Sequence, residues 1–148
     1  MKKETFVDII TSLIILLLLY TGIMKIIEHD VFLGALLKSN QLRPFANILS
    51  ILVPLAELLL VASLWIPKTK RIGLLGSSIL MGLFTVYVGA MLYLRSDRPC
   101  TCGGIIRYLN WHQHFYFNTC FMVLALLAFW LDRKNRQPKN TPQSPLYD

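Results

Sequence analysis

Four long apolar stretches constrain this sequence more than any other feature, because each is long enough to cross a lipid bilayer as a helix. They cover residues 7–27, 45–66, 72–94 and 114–131. A helix needs about 20 residues to span the roughly 30 Å of hydrocarbon in a bilayer. The stretches therefore predict an all-α polytopic membrane protein, with a single domain over residues 1–131 built as a bundle of four transmembrane helices.

The composition supports this interpretation and excludes other classes of protein. Of the 148 residues, 55% are hydrophobic and 16% are charged, whereas a soluble domain has about 25% charged residues. The formal net charge of +7 does not indicate a nucleic-acid partner, because the basic residues lie at the ends of the apolar stretches and form no stripe. The predicted environment of most of the surface is therefore the lipid bilayer.

The distribution of Lys and Arg predicts which way the helices face. If the N-terminus is inside, nine of the 15 basic residues lie on the cytoplasmic side and six lie on the other side. Cytoplasmic loops carry such an excess, and Lys68, Lys70 and Arg71 crowd the short turn between the second and third stretches. We expect both termini to be cytoplasmic, which in a bacterium means the inner membrane with the 95–113 segment in the periplasm.

Three further segments complete the predicted organisation. The first stretch is too long for the apolar region of a cleaved signal peptide, so we interpret it as a retained signal anchor. The 28–44 connection contains a short apolar patch that is typical of a helix lying along the membrane interface. Residues 132–148 are rich in Lys, Asn, Gln and Pro and predict a disordered cytoplasmic tail.

Two cysteines on the predicted periplasmic side, Cys100 and Cys102, are the main candidates for chemistry. Disulfides persist in that compartment, but a Cys-x-Cys ring requires a tight turn whose strain makes the bond easier to reduce. The nearby Arg98 and Arg107 would favour the thiolate form. A redox-active pair, a static disulfide and a metal site all fit this pattern.

The metal alternative rests on His112 and His114, which repeat the one-residue spacing of the cysteine pair. Two thiolates and two imidazoles form a ligand set that suits zinc or copper. Taken alone, the two histidines are more typical of residues that cap the start of a helix at the membrane interface than of metal ligands.

The fourth stretch contains two further residues of interest. Cys120 lies about 9 Å below His114 along a helix, where a cysteine is either a small buried hydrophobic residue or a thiol that resolves a mixed disulfide. Asn118 is a polar residue at membrane depth, and we expect it to hydrogen-bond to a neighbouring helix.

Glu57 is the strongest single signal inside the membrane, because a carboxylate near the bilayer midplane is costly. It follows Pro54, which frees backbone carbonyls, and we expect a neutral Glu57 to donate to Tyr20, Thr21 or such a carbonyl. With the outer ends of the first two helices level, Lys25 would lie about 15 Å away along the axis, so we predict no direct pair. A structural role and a proton-handling or quinone-contact role remain open for Glu57.

Small residues in the third stretch indicate close helix packing. Gly73 and Ser77 are four residues apart, and Gly82 and Gly89 are seven residues apart on one helix face. Small side chains let membrane helices approach one another closely. We assign these positions to packing and to no chemistry.

The chain resembles the MauE branch of the DoxX-like superfamily. The resemblance lies in five segments, Tyr20-Thr-Gly-Ile-Met-Lys25, Pro54-Leu-Ala-Glu-Leu-Leu59, Pro99-Cys-Thr-Cys-Gly-Gly104, Trp111-His-Gln-His114 and Phe117-Asn118. Together, these segments make the resemblance cover residues 6–131.

This resemblance implies a four-helix inner-membrane protein with a redox role for Cys100 and Cys102, and with Lys25 and Glu57 as family-typical positions. MauE is associated with maturation of the disulfide-rich small subunit of methylamine dehydrogenase, and DoxX relatives are linked to quinone-coupled sulfur oxidation. The chain is also similar in layout to four-helix thiol oxidases, which place a cysteine pair next to a quinone.

The sequence thus predicts an inner-membrane thiol/disulfide electron relay that supports disulfide formation or maturation of a periplasmic partner. The partner would be a thioredoxin-like or cysteine-rich protein or a membrane complex, and quinone is the candidate cofactor. Cys100, Cys102 and Glu57 would carry the chemistry. The supporting residues would be Lys25, Arg98, Arg107, Trp111, His112, His114 and Asn118. The alternative is a non-catalytic assembly subunit or chaperone that docks through its apolar faces and the 28–44 connection.

Overall fold

A computed structural model describes residues 2–94 and 111–135 of the chain. This part of the chain is helical apart from its short connections. The helices are α1 (Lys2–Ile27), α2 (His29–Lys38), α3 (Ala46–Trp65), α4 (Lys70–Leu94) and α5 (Trp111–Asn135), with a 3₁₀ turn at Arg43–Phe45 before α3.

Four of these helices are long and apolar enough to cross a membrane, which confirms the predicted four-helix architecture. The membrane-compatible segments are Glu4–Ile27, Arg43–Trp65, Lys70–Tyr93 and His112–Asp132. Each segment begins two or three residues before its predicted start and ends within one residue of its predicted end, which is the usual uncertainty of helix boundaries. α5 also continues to Asn135, into the segment predicted as a disordered tail, whereas residues 136–148 lie outside the described part of the chain.

The four long helices form a closed ring in the order α1, α3, α4, α5 and back to α1. Along α1 the buried residues Val7, Ile10, Ile14 and Leu18 recur every three or four positions, so they line one face of the helix. That face packs in one core cluster with residues of the other three helices, including Leu64, Leu74, Met81, Ala125 and Ala128.

The α3–α4 contact depends on glycine, as the sequence predicted for small residues in the third stretch. A Cβ atom added at Gly73 would lie 2.9 Å from the backbone nitrogen of Leu64, and one added at Gly76 would lie 2.5 Å from a methyl group of Leu60. Gly82 and Gly89 instead face α5, against Met122 and Phe115. The glycines of α4 therefore allow close approach on two sides of the helix.

The 28–44 connection forms a helix, as predicted, but α2 packs against the first turns of α3. Its buried residues Phe32 and Leu36 form a small cluster with Ala46 of α3. Two hydrogen bonds tie this region to the bundle: His29 to Ser50 at 3.3 Å, and Tyr87 of α4 to Ser39 at 3.3 Å. Phe32 and Leu36 are thus used inside the molecule, whereas Val31 and Leu37 of the same apolar patch are exposed.

Candidate functional site

A buried ion pair lies inside the helical ring, between α1 and α3. The Nζ atom of Lys25 donates a hydrogen bond to Oε1 of Glu57 at 2.6 Å. The two residues are 4% and 0% exposed. Two opposite charges at this depth tolerate burial only as a pair, because an isolated ion in hydrocarbon is costly.

Aromatic rings of two further helices surround the ammonium group. The Nζ atom of Lys25 lies 5.8 Å from the centre of the Phe32 ring and 5.5 Å from the centre of the Phe84 ring. Both distances are within the range in which a cation is attracted to an aromatic face. α1, α2, α3 and α4 therefore all contribute to the environment of this one charge.

The pairing of Lys25 with Glu57 corrects the prediction that the two would not meet. A Cβ atom added at Gly22 would lie 3.4 Å from Cβ of Glu57, so Gly22 and Glu57 are at the same level. Lys25 is three residues beyond Gly22, about 4.5 Å along the helix, which its side chain of about 6 Å can bridge. The prediction was wrong because it placed the outer ends of α1 and α3 level, whereas the contact of Gly22 with Glu57 shows that α3 begins farther out than α1 ends.

The partner of Glu57 also differs from the expectation of a neutral donor to Tyr20, Thr21 or a backbone carbonyl. Glu57 Oε1 accepts a hydrogen bond from Lys25 instead. The Thr21 hydroxyl donates to the carbonyl of Leu17 at 3.0 Å within its own helix. The Thr21 side chain also interacts with the Glu57 carboxyl group, so the sequence identified a correct neighbour in α1 but missed Lys25.

A small cavity adjoins the ion pair at the centre of the bundle. It leaves about 20 Å³ for the centre of a water molecule, close to what one water molecule requires. Polar and apolar side chains from α1, α3, α4 and α5 line it, namely Leu17, Thr21, Lys25, Glu57, Met81, Phe84, His114, Phe117 and Asn118. The cavity thus joins the ion pair to the first turns of α5.

Two polar atoms at this cavity have no hydrogen-bond partner among the described residues. They are Oε2 of Glu57 and Nδ2 of Asn118. Glu57 is 0% exposed and Asn118 is 5% exposed. The amide nitrogen of Asn118 thus lacks the contact with a neighbouring helix that we expected for this residue. A buried polar atom without a partner is unusual in a folded protein and points to a bound group or to function.

The structure separates the two histidines of the His-x-His segment. His112 is exposed, whereas His114 is 5% exposed and lines the cavity. Residues two positions apart lie about 200° apart around a helix, so the pair does not face a common point. Within residues 2–94 and 111–135, no three His, Cys, Asp or Glu side chains group as a metal site.

The remaining predicted site residues fall outside the cavity or outside the described part of the chain. Cys120 is exposed on the surface of α5, which contradicts its interpretation as a buried hydrophobic residue. Trp111 begins α5. The predicted Cys100, Cys102, Arg98 and Arg107 belong to residues 95–110, which the structure does not describe.

Sequence reasoning missed the apolar residues that shape the site. Phe84 and Phe32 flank the ammonium group, and Gly22 allows α1 to approach Glu57. A phenylalanine in a membrane helix carries no signal of its own, whereas Gly22, three residues before Lys25, was a usable hint of close approach.

A family model described as methylamine utilisation protein MauE matches residues 3–131, which include all of the cavity-lining residues. The chain belongs to the MauE family. No curated protein and no solved structure matches the chain significantly. Membership confirms the resemblance seen in the sequence and identifies this protein as a multi-pass membrane protein of that family.

Proposed function

We propose that this MauE-family protein is a thiol/disulfide relay that supports disulfide formation in a periplasmic partner. Its family description suggests a role related to methylamine utilisation. The observation that supports the proposal best is the Lys25–Glu57 pair, which holds a carboxylate with one free oxygen inside a helical membrane bundle. Ionisable residues at such a depth often belong to proton relays, and the transfer of electrons from thiols to a membrane acceptor is accompanied by a transfer of protons.

The relay chemistry uses Cys100 and Cys102. A thiolate of the partner attacks one sulfur of their disulfide, so that this bond breaks, a mixed disulfide forms and the other cysteine leaves as a thiolate. A second partner thiolate then attacks the mixed disulfide, which forms the partner's disulfide and releases both cysteines reduced. The protein has gained two electrons, and protonation of the two thiolates takes up two protons.

Reoxidation of the cysteine pair requires an acceptor of two electrons and two protons. A membrane quinone has this capacity, because it becomes a quinol when it takes up both. Glu57 is the proposed proton-handling residue, with Lys25 holding its Oε1 atom and Oε2 left available. The aromatic rings of Phe32 and Phe84 keep the ammonium in place without competing for the carboxylate.

Several residues take supporting roles in this proposal. Arg98 and Arg107 favour the thiolate state of the cysteines because positive charge stabilises it. His114 and Asn118 face the cavity from the first turns of α5, directly after the segment that contains the cysteines. Trp111 and His112 begin that helix at the membrane boundary, where aromatic and amphipathic residues are favoured.

We place the protein in a bacterial inner membrane with both termini in the cytoplasm. The support is the excess of Lys and Arg in the segments that flank the termini and the α3–α4 turn. This orientation exposes the cysteine segment to the periplasm, where a thioredoxin-like or cysteine-rich partner could reach it.

A thiol-trapping experiment tests the relay. Right-side-out spheroplasts that contain the wild type, Cys100→Ser/Cys102→Ser or Cys120→Ser are given a reduced dithiol client and then alkylated with a mass-adding reagent. The double variant should lose both client oxidation and the mixed disulfide. Glu57→Gln should still form the mixed disulfide but should reoxidise its cysteine pair more slowly.

The Cys120→Ser variant is the matched control for loss of a thiol. Because Cys120 is exposed on α5 and does not line the cavity, we expect client oxidation at the wild-type rate. A loss of oxidation in this variant would assign Cys120 the resolving role that the sequence left open. Unchanged client oxidation in the Cys100→Ser/Cys102→Ser variant would refute the relay itself.

A further inference from the structure

We propose that the central cavity binds one water molecule, which bridges Glu57 of α3 and Asn118 of α5. The water would accept a hydrogen bond from Nδ2 of Asn118 and donate one to Oε2 of Glu57. This inference does not depend on the thiol chemistry, since it rests on the cavity and on the polar atoms that line it.

The first argument is volume. The cavity leaves about 20 Å³ for the centre of a water molecule, and a single water needs at least about 10–15 Å³ on this measure. A quinone ring or another organic molecule needs a pocket of several hundred Å³. The cavity is therefore large enough for one water molecule and too small for an organic ligand.

The second argument is that the two unpartnered atoms have complementary chemistry. Oε2 of Glu57 is an acceptor and Nδ2 of Asn118 is a donor, and both side chains line the same cavity. A buried water typically makes two to four hydrogen bonds to polar groups that otherwise have no partner. One water between these two atoms would satisfy both of them.

The third argument is that the two donors of α1 near the carboxylate, Lys25 and Thr21, already make other hydrogen bonds. Lys25 donates to Oε1 of Glu57, and the Thr21 hydroxyl donates to backbone carbonyls of α1. Four other residues of the wall, Leu17, Met81, Phe84 and Phe117, offer no strong donor, and the remaining polar side chains, His114 and Asn118, come from α5. Since none of the described residues hydrogen-bonds to Oε2, a water molecule in the cavity is the group that would connect this atom to Nδ2 of Asn118.

The bridging water would extend the polar cluster from α1 and α3 to α5. Asn118 lies one helical turn below His114, and both face the cavity. Asn118 is thus a positioning residue that acts on Glu57 through the water. On the proposed function, this bridge gives the free oxygen of Glu57 a neighbour that can carry a proton.

A structure of the full chain in a lipid mesophase, at a resolution that shows ordered water, tests the proposal. The wild type should show a density peak about 2.7–3.2 Å from both Glu57 Oε2 and Asn118 Nδ2. Asn118→Leu should lose this peak, because the variant removes the donor and fills the space. Thr119→Val should keep it, because the Thr119 hydroxyl bonds to the Phe115 carbonyl of its own helix.

Two outcomes would overturn the proposal. One is a wild-type map without the peak that still shows water at other buried positions. The other is a direct hydrogen bond between Glu57 and Asn118 across a collapsed cavity. The wild-type map decides the question even if Asn118→Leu does not fold. Loss of the relay in the thiol-trapping assay would leave this result unchanged, so the two proposals fail separately.

Discussion

The two halves of the bundle solve the problem of packing in different ways. The half next to the termini is mostly apolar and close-packed, with Val7, Ile10 and Ile14 of α1 in one core cluster with Leu74 of α4 and Ala128 of α5. The half next to α2 instead buries an ion pair, a histidine and an asparagine around a cavity.

The comparison shows that α1 changes role along its length. Its first four buried positions are mainly apolar and follow the helical repeat, whereas Thr21 and Lys25 continue the same face with polar side chains. One face of α1 is thus buried along the whole helix, but its side chains change from apolar to polar. Ionisable residues inside a membrane are costly, and those that are present usually serve a function. The polar half is therefore the part of the bundle that points to function.

The largest expected effect is in the polar half. Lys25→Met leaves Glu57 without its partner and should lower the free energy of unfolding by about 3 kcal/mol, because breaking a buried pair leaves an uncompensated charge. Thermal unfolding in detergent measures this. Lys38→Met is the control, since Lys38 is exposed on α2.

Replacing both partners sharpens this result. Lys25→Met/Glu57→Gln should recover most of the stability, since no unpaired charge remains. If Lys25→Met alone were as stable as the wild type, the ion pair would not be the element that distinguishes the two halves.

A smaller effect is expected at the glycine contact in the apolar half. Gly73→Ala places a Cβ atom 2.9 Å from the backbone of Leu64, and such overpacking typically costs about 1–3 kcal/mol. Gly34→Ala in α2 is the matched control, because an added Cβ meets nothing within 4 Å. That change should be neutral or stabilising by up to about 1 kcal/mol, since Ala favours helix over Gly.

The two glycine variants should be compared by thermal unfolding in the same detergent. Equal melting temperatures for Gly73→Ala and Gly34→Ala would mean that α3 and α4 are free to separate. In that case close packing would not be what distinguishes this half from the other.

The smallest effect should occur at the surface of the apolar half. Asp8 of α1 pairs with Lys70 at the start of α4, and the Asp8 side chain is 66% exposed. Asp8→Asn should change stability by less than about 1 kcal/mol, because exposed ion pairs contribute little. A melting temperature that moved as far as in Lys25→Met would show that burial is not what separates the two pairs.

The fold could be predicted from the sequence to a large extent. Apolar stretches of sufficient length identify four membrane helices, and the apolar patch around Phe32 identifies the extra helix between the first two. Glycine spacing in the third stretch indicated close packing, which Gly73 and Gly76 confirm. These signals are local, so one segment at a time is enough to find them.

The candidate site could be predicted only in part. Glu57, Lys25, His114 and Asn118 were all identified as unusual residues at membrane depth, and the structure brings these four together at one cavity. The pairing of Lys25 with Glu57 was missed, because it depends on how far α1 slides along α3. The opposite directions of His112 and His114 were missed because the predicted helix began at residue 114, whereas α5 begins at Trp111 and contains both histidines.

The sequence by itself determined the number of membrane helices, their approximate limits and the residues too polar to lie against lipid. Hydropathy and length decide these properties, since each segment meets the bilayer independently of the others. Only the tertiary structure decided that Lys25 meets Glu57 at 2.6 Å and that their cavity opens toward α5. The axial offset of neighbouring helices follows from side-chain packing between distant segments, such as Gly22 against Glu57, and a single stretch of sequence does not encode it.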